Sequence, residues 1–143
     1  MRRAAAAALA VLLSLSPAAA LVVGNNPGGA VVQFYQQEMQ LEARGEPIVV
    51  RGRCASACTV VLHNPRVCVA PGGSFMFHSA FIPVDPENGD FRRAGEAPEA
   101  TSLMWGMYPP GVRAFIQAHG GMTARPVFMS AQQAWAAGVA RCK

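Results

Sequence analysis

Short runs of aliphatic and β-branched residues, cut by glycine and proline, alternate along this chain with longer stretches of mixed polarity. Leu21-Val22-Val23, Pro47 to Gly52, Arg66 to Ala70 and Ser74 to Ser79 read as strands, each bounded by turn-forming residues. Val31, Val32, Phe34, Tyr35, Met39 and Leu41 recur at loosely helical spacing among glutamines and glutamates, which predicts a helix over Ala30 to Ala43, ended by Gly45. A short apolar helix is expected from about Ala55 to Leu62. A longer one spans Ala100 to His119, broken at Pro109-Pro110 and capped by Gly120-Gly121. Ser130 is placed to N-cap a last helix, Ala131 to Ala137, before Gly138 and a terminal Val139-Ala140-Arg141-Cys142. Phe81 to Glu99 is the most polar stretch and reads as a surface loop, with a lid as one use. Strands alternating with helices predict a layered α/β domain with parallel strand pairing.

Composition changes this picture mainly at the N-terminus. Met1-Arg2-Arg3 is basic, Ala4 to Leu15 is apolar apart from Ser14, and Pro17-Ala18-Ala19-Ala20 supplies small residues for cleavage. That is the plan of a secretory signal peptide over residues 1–20, leaving 21–143 as a single exported domain, periplasmic or secreted. An uncleaved leader would be the chain's one contact with a membrane. Without Arg2 and Arg3 the 12 basic residues become 10 against 8 acidic, a net charge of +2. No basic stripe interleaved with aromatics is present, so nucleic acid is not an expected partner. The single lysine, Lys143, leaves no internal lysine for base or Schiff-base chemistry. Cys54, Cys58, Cys68 and Cys142 are even in number, which in an exported chain favours disulfides in one of three pairings. Their spacing does not match paired zinc motifs, and no metal or cofactor is expected.

Two turns fall at the C-terminal ends of apparent parallel strands, where α/β sheets bind ligands: Asn26-Pro27-Gly28-Gly29 and Cys54-Ala55-Ser56-Ala57. Gly28-Gly29 entering a helix leaves bare backbone amides that suit an oxyanion, or is merely a tight turn. Ser56 beside a helix start is either an N-cap or a nucleophile. His78 ends an apolar strand, as a general base or a structural group. His63 and His119 sit at helix C-termini, where a cation is favourable.

In this order and spacing, Asn-x-Pro-Gly-Gly, the Gly52-to-Thr59 segment with Ala55-Ser56-Ala57, and Phe77-His78-x-Ala80 resemble the ClpP protease core and, more broadly, the ClpP/crotonase superfamily. The cysteine-bearing form is similar to small exported ClpP-like proteins of bacteria. Ala118-His119-Gly120-Gly121 and Met129-Ser130-Ala131-Gln132-Gln133-Ala134 through Gly138-Val139 resemble the family's closing segment. The resemblance implies a ββα spiral core, here without the family's first strand–helix unit. It implies Ser56 as nucleophile, His78 as base, and an oxyanion hole of the Gly29 and Ala57 amides with Gly28 shaping the turn. It implies a peptidase or other hydrolase acting on a peptide or protein, and it is compatible with a homo-oligomer. It also implies the pairing Cys68–Cys142, with Cys54 and Cys58 bridging across the turn that bears Ser56. One departure stands out. The family's catalytic aspartate is absent, and Pro126 falls in its place. Asp85, Asp90 or a backbone carbonyl would then have to orient His78. The alternative reading is a catalytically inactive ClpP-like binding or structural module with Ser56 as a helix cap.

Overall fold

A computed structural model of the chain describes residues 19–143; the leader expected over 1–20 lies outside these, except for its last two residues. The domain is α/β. Strands β1 (Leu21–Val23), β2 (Ile48–Val50), β4 (Val67–Val69) and β9 (Ala140–Arg141) form one parallel sheet in the order β1-β2-β4-β9. Strands β3 (Arg53–Ala55), β5 (Ser74–Phe77) and β8 (Val127–Ser130) form a second in the order β3-β5-β8. There β3 and β5 run parallel, and β8 returns antiparallel to β5. The expected parallel pairing therefore holds for the first sheet and half of the second.

The chain lays down these sheets by repetition. Strand β1 enters the first sheet, Asn26 forms a bridge to Cys54 at the edge of the second, and helix α1 (Val31–Ala43) follows. Then β2 enters the first sheet, β3 the second, and a 3-10 helix, Ser56–His63, follows. Then β4 and β5 do the same ahead of helices α2 (Pro98–Met107) and α3 (Pro110–Ala118), split at Pro109-Pro110 as expected. Helix α4 (Ala131–Ala136) opens with a capping box in which Ser130 Oγ accepts from the Gln133 amide and the Gln133 side chain accepts from the Ser130 amide.

Alternation sorts the residues. Ile48, Val50, Val69, Phe75, Phe77 and Met129 are buried, joined by Val60 and Leu62 from the 3-10 helix and by Met104, Val112 and Ile116 from α2 and α3. Fully burying side chains of this size contributes about 1.5–3 kcal/mol each before conformational entropy is counted. Two short sheets thus share one core although most of their strands are only three or four residues long.

One expectation is corrected. Phe81 to Glu99 is not a loop: β6 (Phe81–Asp85) and β7 (Asp90–Glu96) form a separate antiparallel hairpin, and α2 starts at Pro98. Asn88-Gly89 turns it, with Gly89 at φ 80°. The strand is hard to see in the sequence because β6 alternates half-buried and exposed positions but places apolar Ile82 and Val84 on the exposed side, as β7 does Phe91, so no polar–apolar alternation marks it. No helix among the described residues is long and apolar enough to cross a membrane.

Candidate functional site

Ser56 follows β3 directly and stands at φ 55°, the one non-glycine residue with positive φ among those described. A side chain in this left-handed region costs roughly 1–2 kcal/mol, and such outliers gather where function demands them. The capping reading fails here. Ala55 holds the cap position, and no side-chain cap bond is made. The bend is braced from three sides. The Cys54–Cys58 disulfide spans it, with Cα atoms 5.3 Å apart. Thr59 Oγ1 donates to the Ser56 carbonyl at 2.6 Å, and the buried Tyr108 hydroxyl lies 2.6 Å from that same Oγ1. Since the Thr59 proton is committed to Ser56, the phenol is the donor; burial also pushes its pKa well up. Gly28, at φ 90°, closes the third side: a Cβ there would lie 2.7 Å from both the Ala55 oxygen and the Ser56 Cβ. This position requires glycine on both counts.

The strain has a measurable consequence. At an ordinary helix start alanine is favoured over glycine, but at a left-handed residue the order reverses. Ser56→Gly is expected to be more stable than Ser56→Ala by about 1 kcal/mol in urea unfolding. The opposite order would show that Ser56 is not held in the left-handed region.

The two turns meet as the strand ends suggested. Within the second turn's partner, Asn26 Oδ1 accepts from the Gly28 amide at 2.9 Å, so Gly28 shapes the loop and spends its own N–H there. The Gly29 amide has no acceptor among the described residues. Ala57 is the second residue of the 3-10 helix, where the helix itself offers no acceptor.

Strand register brings His78 to the same sheet edge. Ala55 pairs with Met76, so Ser56 and His78 lie just past the C-terminal ends of adjacent parallel strands. The two are not hydrogen-bonded to each other. Instead His78 Nδ1 lies 2.8 Å from the Ser79 carbonyl oxygen. A carbonyl only accepts, so Nδ1 carries the proton and the neutral ring keeps its lone pair on Nε2. Arg93 Nη2 also donates to that carbonyl at 3.1 Å, while Ser79 Oγ bonds Glu96 at 3.0 Å and Arg93 pairs with Glu96 at 2.8 Å. Phe81 packs 5.9 Å from the His78 ring and carries the Arg93 guanidinium 4.7 Å above its own. The hairpin therefore buttresses the group that fixes the histidine.

Of the three orienters considered, the backbone carbonyl is the one in contact. Asp85 accepts from Asn88, and Asp90 from Arg92; both are turn-local, and these bonds hold each carboxyl below its usual range. The ladder ends where Phe77 pairs with Val127, and beyond it the Ser79 amide donates to the Thr123 carbonyl at 2.8 Å; residues 123–127, Pro126 among them, carry no carboxylate to offer His78. His63 faces Glu42 at 3.4 Å and His119 Nδ1 lies 2.7 Å from the Phe115 carbonyl, both at helix ends as expected.

A groove of about 590 Å³ is lined by Asn25, Asn26, Pro27, Arg53, Ala55, Gly72, Ser74 and Met76; it reaches Ala55, the residue before Ser56, while Ser56 and His78 themselves lie outside its lining. Its floor is the outer face of the second sheet, where Arg53 pairs with Ser74 and Ala55 with Met76. The partners Cys54, Phe75 and Phe77 face the core. Sequence reasoning missed Arg53, Asn25 and the Arg93–Glu96 pair. The period-two pattern of β3 would have put Arg53 on the same face as Ala55.

The Cys54–Cys58 and Cys68–Cys142 disulfides leave no free cysteine among the described residues, which indicates an oxidising, extracytoplasmic setting. Both pairings are those the resemblance implied. No protein-family model matches the chain, and no curated protein matches it.

Proposed function

We propose that this chain is an exported ClpP-like serine hydrolase, most simply a peptidase. Ser56 is the nucleophile and His78 the base. The observation that carries this reading is the left-handed Ser56, held at a strand end next to the strand that delivers His78. The twofold laying of one strand in each sheet before a helix, preceded by the β1–Asn26–α1 version, supports a spiral core of the ClpP kind.

In the reaction His78 Nε2 takes the Ser56 proton as Oγ attacks the substrate carbonyl. The Gly29 and Ala57 amides receive the negative charge on oxygen. The imidazolium then protonates the leaving group, and a water activated by the same ring releases the acyl chain from Ser56. Such hydrogen bonds often tighten only when substrate binds, which accommodates a Ser56 and His78 not yet bonded. A neutral carbonyl stabilises the imidazolium less than a carboxylate does. Replacing the carboxylate costs a serine triad about 10⁴ in rate, so turnover is expected to be slow. A second reading, a binding module with the same groove, is favoured by the unmade Ser56–His78 bond and by Pro126.

Labelling with a fluorophosphonate separates the two. The folded, disulfide-bonded protein is expected to be labelled at Ser56, not at all in Ser56→Ala, and at least about 10²-fold more slowly in His78→Ala. An unlabelled wild-type protein with native circular dichroism would leave only the binding module.

A further inference from the structure

We infer that the groove beside Ser56 is built for a peptide carrying an acidic side chain, which Arg53 recognises. The inference rests on the hydrolase reading for the use of the groove, but its chemistry stands on separate observations. The lining contains one charged residue, Arg53, and no carboxylate. Among the described residues the Arg53 guanidinium makes no ion pair and no hydrogen bond; Arg51, Arg113 and Arg125 are likewise unpaired, but of these only Arg53 lines the groove. Its backbone, by contrast, is firmly placed: the Arg53 amide donates to Asn25 Oδ1 at 3.0 Å, and its carbonyl accepts from the Asn26 amide at 2.7 Å. The result is a cation on a rigid strand, directed along a sheet face whose other polar groups, on Asn25, Asn26 and Ser74, are neutral.

The spacing says where on the substrate the acid belongs. Arg53 lies three positions before Ser56 on an extended strand, roughly 10 Å along it. An extended peptide advances at about 3.3 Å per residue, so Arg53 meets a side chain about two to four residues from the reacting carbonyl. Glu or Asp there gains a charge-assisted hydrogen bond; Lys is repelled.

The test uses fluorescent peptides that carry Glu, Gln or Lys at single positions on either side of a cleavable bond. Their binding is measured by anisotropy on the inactive Ser56→Gly variant, and their cleavage on the wild-type protein. The Glu peptide is expected to bind about three- to tenfold more tightly than the Gln peptide at one position, with Lys weakest. Arg53→Gln abolishes the difference, and Arg53→Glu inverts it in favour of Lys. Equal binding of all three peptides, no binding by a folded variant, or a Glu preference that survives Arg53→Gln would overturn the inference. Selective binding without cleavage by the wild-type protein supports the inference and sinks the hydrolase reading. Cleavage without charge preference does the reverse.

Discussion

Replacing Cys68 and Cys142 together with alanine is expected to lower the unfolding free energy by about 4 kcal/mol. Their disulfide closes a loop of 74 positions, and the conformational freedom it removes from the unfolded chain grows with the logarithm of that length. The same reasoning gives about 2 kcal/mol for Cys54–Cys58, whose separation is 4. A domain of this size has roughly 5–15 kcal/mol in all, so the long-range bridge accounts for a large share of it. Local contacts keep the native arrangement available when the bridge is gone: Cys142 donates its amide to the Val69 carbonyl at 3.1 Å, Trp135 Nε1 donates to the same oxygen at 3.1 Å, and the Arg141 guanidinium sits 4.6 Å above the Trp135 ring. The two double variants, compared by urea midpoint at common slope, should therefore differ by about 2 kcal/mol. Equal losses would contradict the chain-entropy account.

Raising the pH from 4.5 to neutrality is expected to destabilise the domain through one side chain. Glu38 lies on α1 with 1% of its surface exposed, and neither carboxyl oxygen has a hydrogen-bond partner among the described residues. Burial raises its pKa from an ordinary 4.5 to about 7; Glu42, one turn on, adds to the rise, and the Asn64 side chain opposes it without making a hydrogen bond. His63, which faces Glu42, is the other titratable group in this corner. The folded state thus holds a proton that the unfolded chain gives up, so stability falls as pH rises from 4.5 through about 7. Below 4.5 both states are protonated and nothing is lost. The full shift corresponds to about 3 kcal/mol. Glu38→Gln keeps the shape and removes the ionisation. Relative to wild type, the variant should be close in stability at pH 5 and about 2–3 kcal/mol more stable at pH 8, measured by urea unfolding. A difference that does not change with pH would show that Glu38 is solvated.

The parts of the fold that sequence revealed are those where one local signal and the core agree. Ile48 to Val50 is β-branched with both ends buried; Pro109-Pro110 breaks a helix wherever it falls; Ser130 stands where a helix needs its N-cap. What escaped reading lacks that agreement. The β6–β7 hairpin packs few apolar residues, so its polarity looked like a loop although Asn88-Gly89 marked the turn. Strand β8 is four residues long and runs against β5, whereas the surrounding pattern suggested parallel pairing. At the site, the placement of Ser56 and His78 at one sheet edge was legible from two strand ends. The left-handed backbone of Ser56 was not, because serine carries no conformational signal of the kind glycine does. The carbonyl beside His78 was equally hidden: every residue has one, and only the path of the chain selects Ser79.

The partner that holds His78 is also one that acid leaves unchanged. A carboxylate that steers a histidine loses its charge on acidification and releases the ring; a peptide carbonyl has no proton to gain in water. The tautomer of His78 is therefore chosen by a group that pH does not touch.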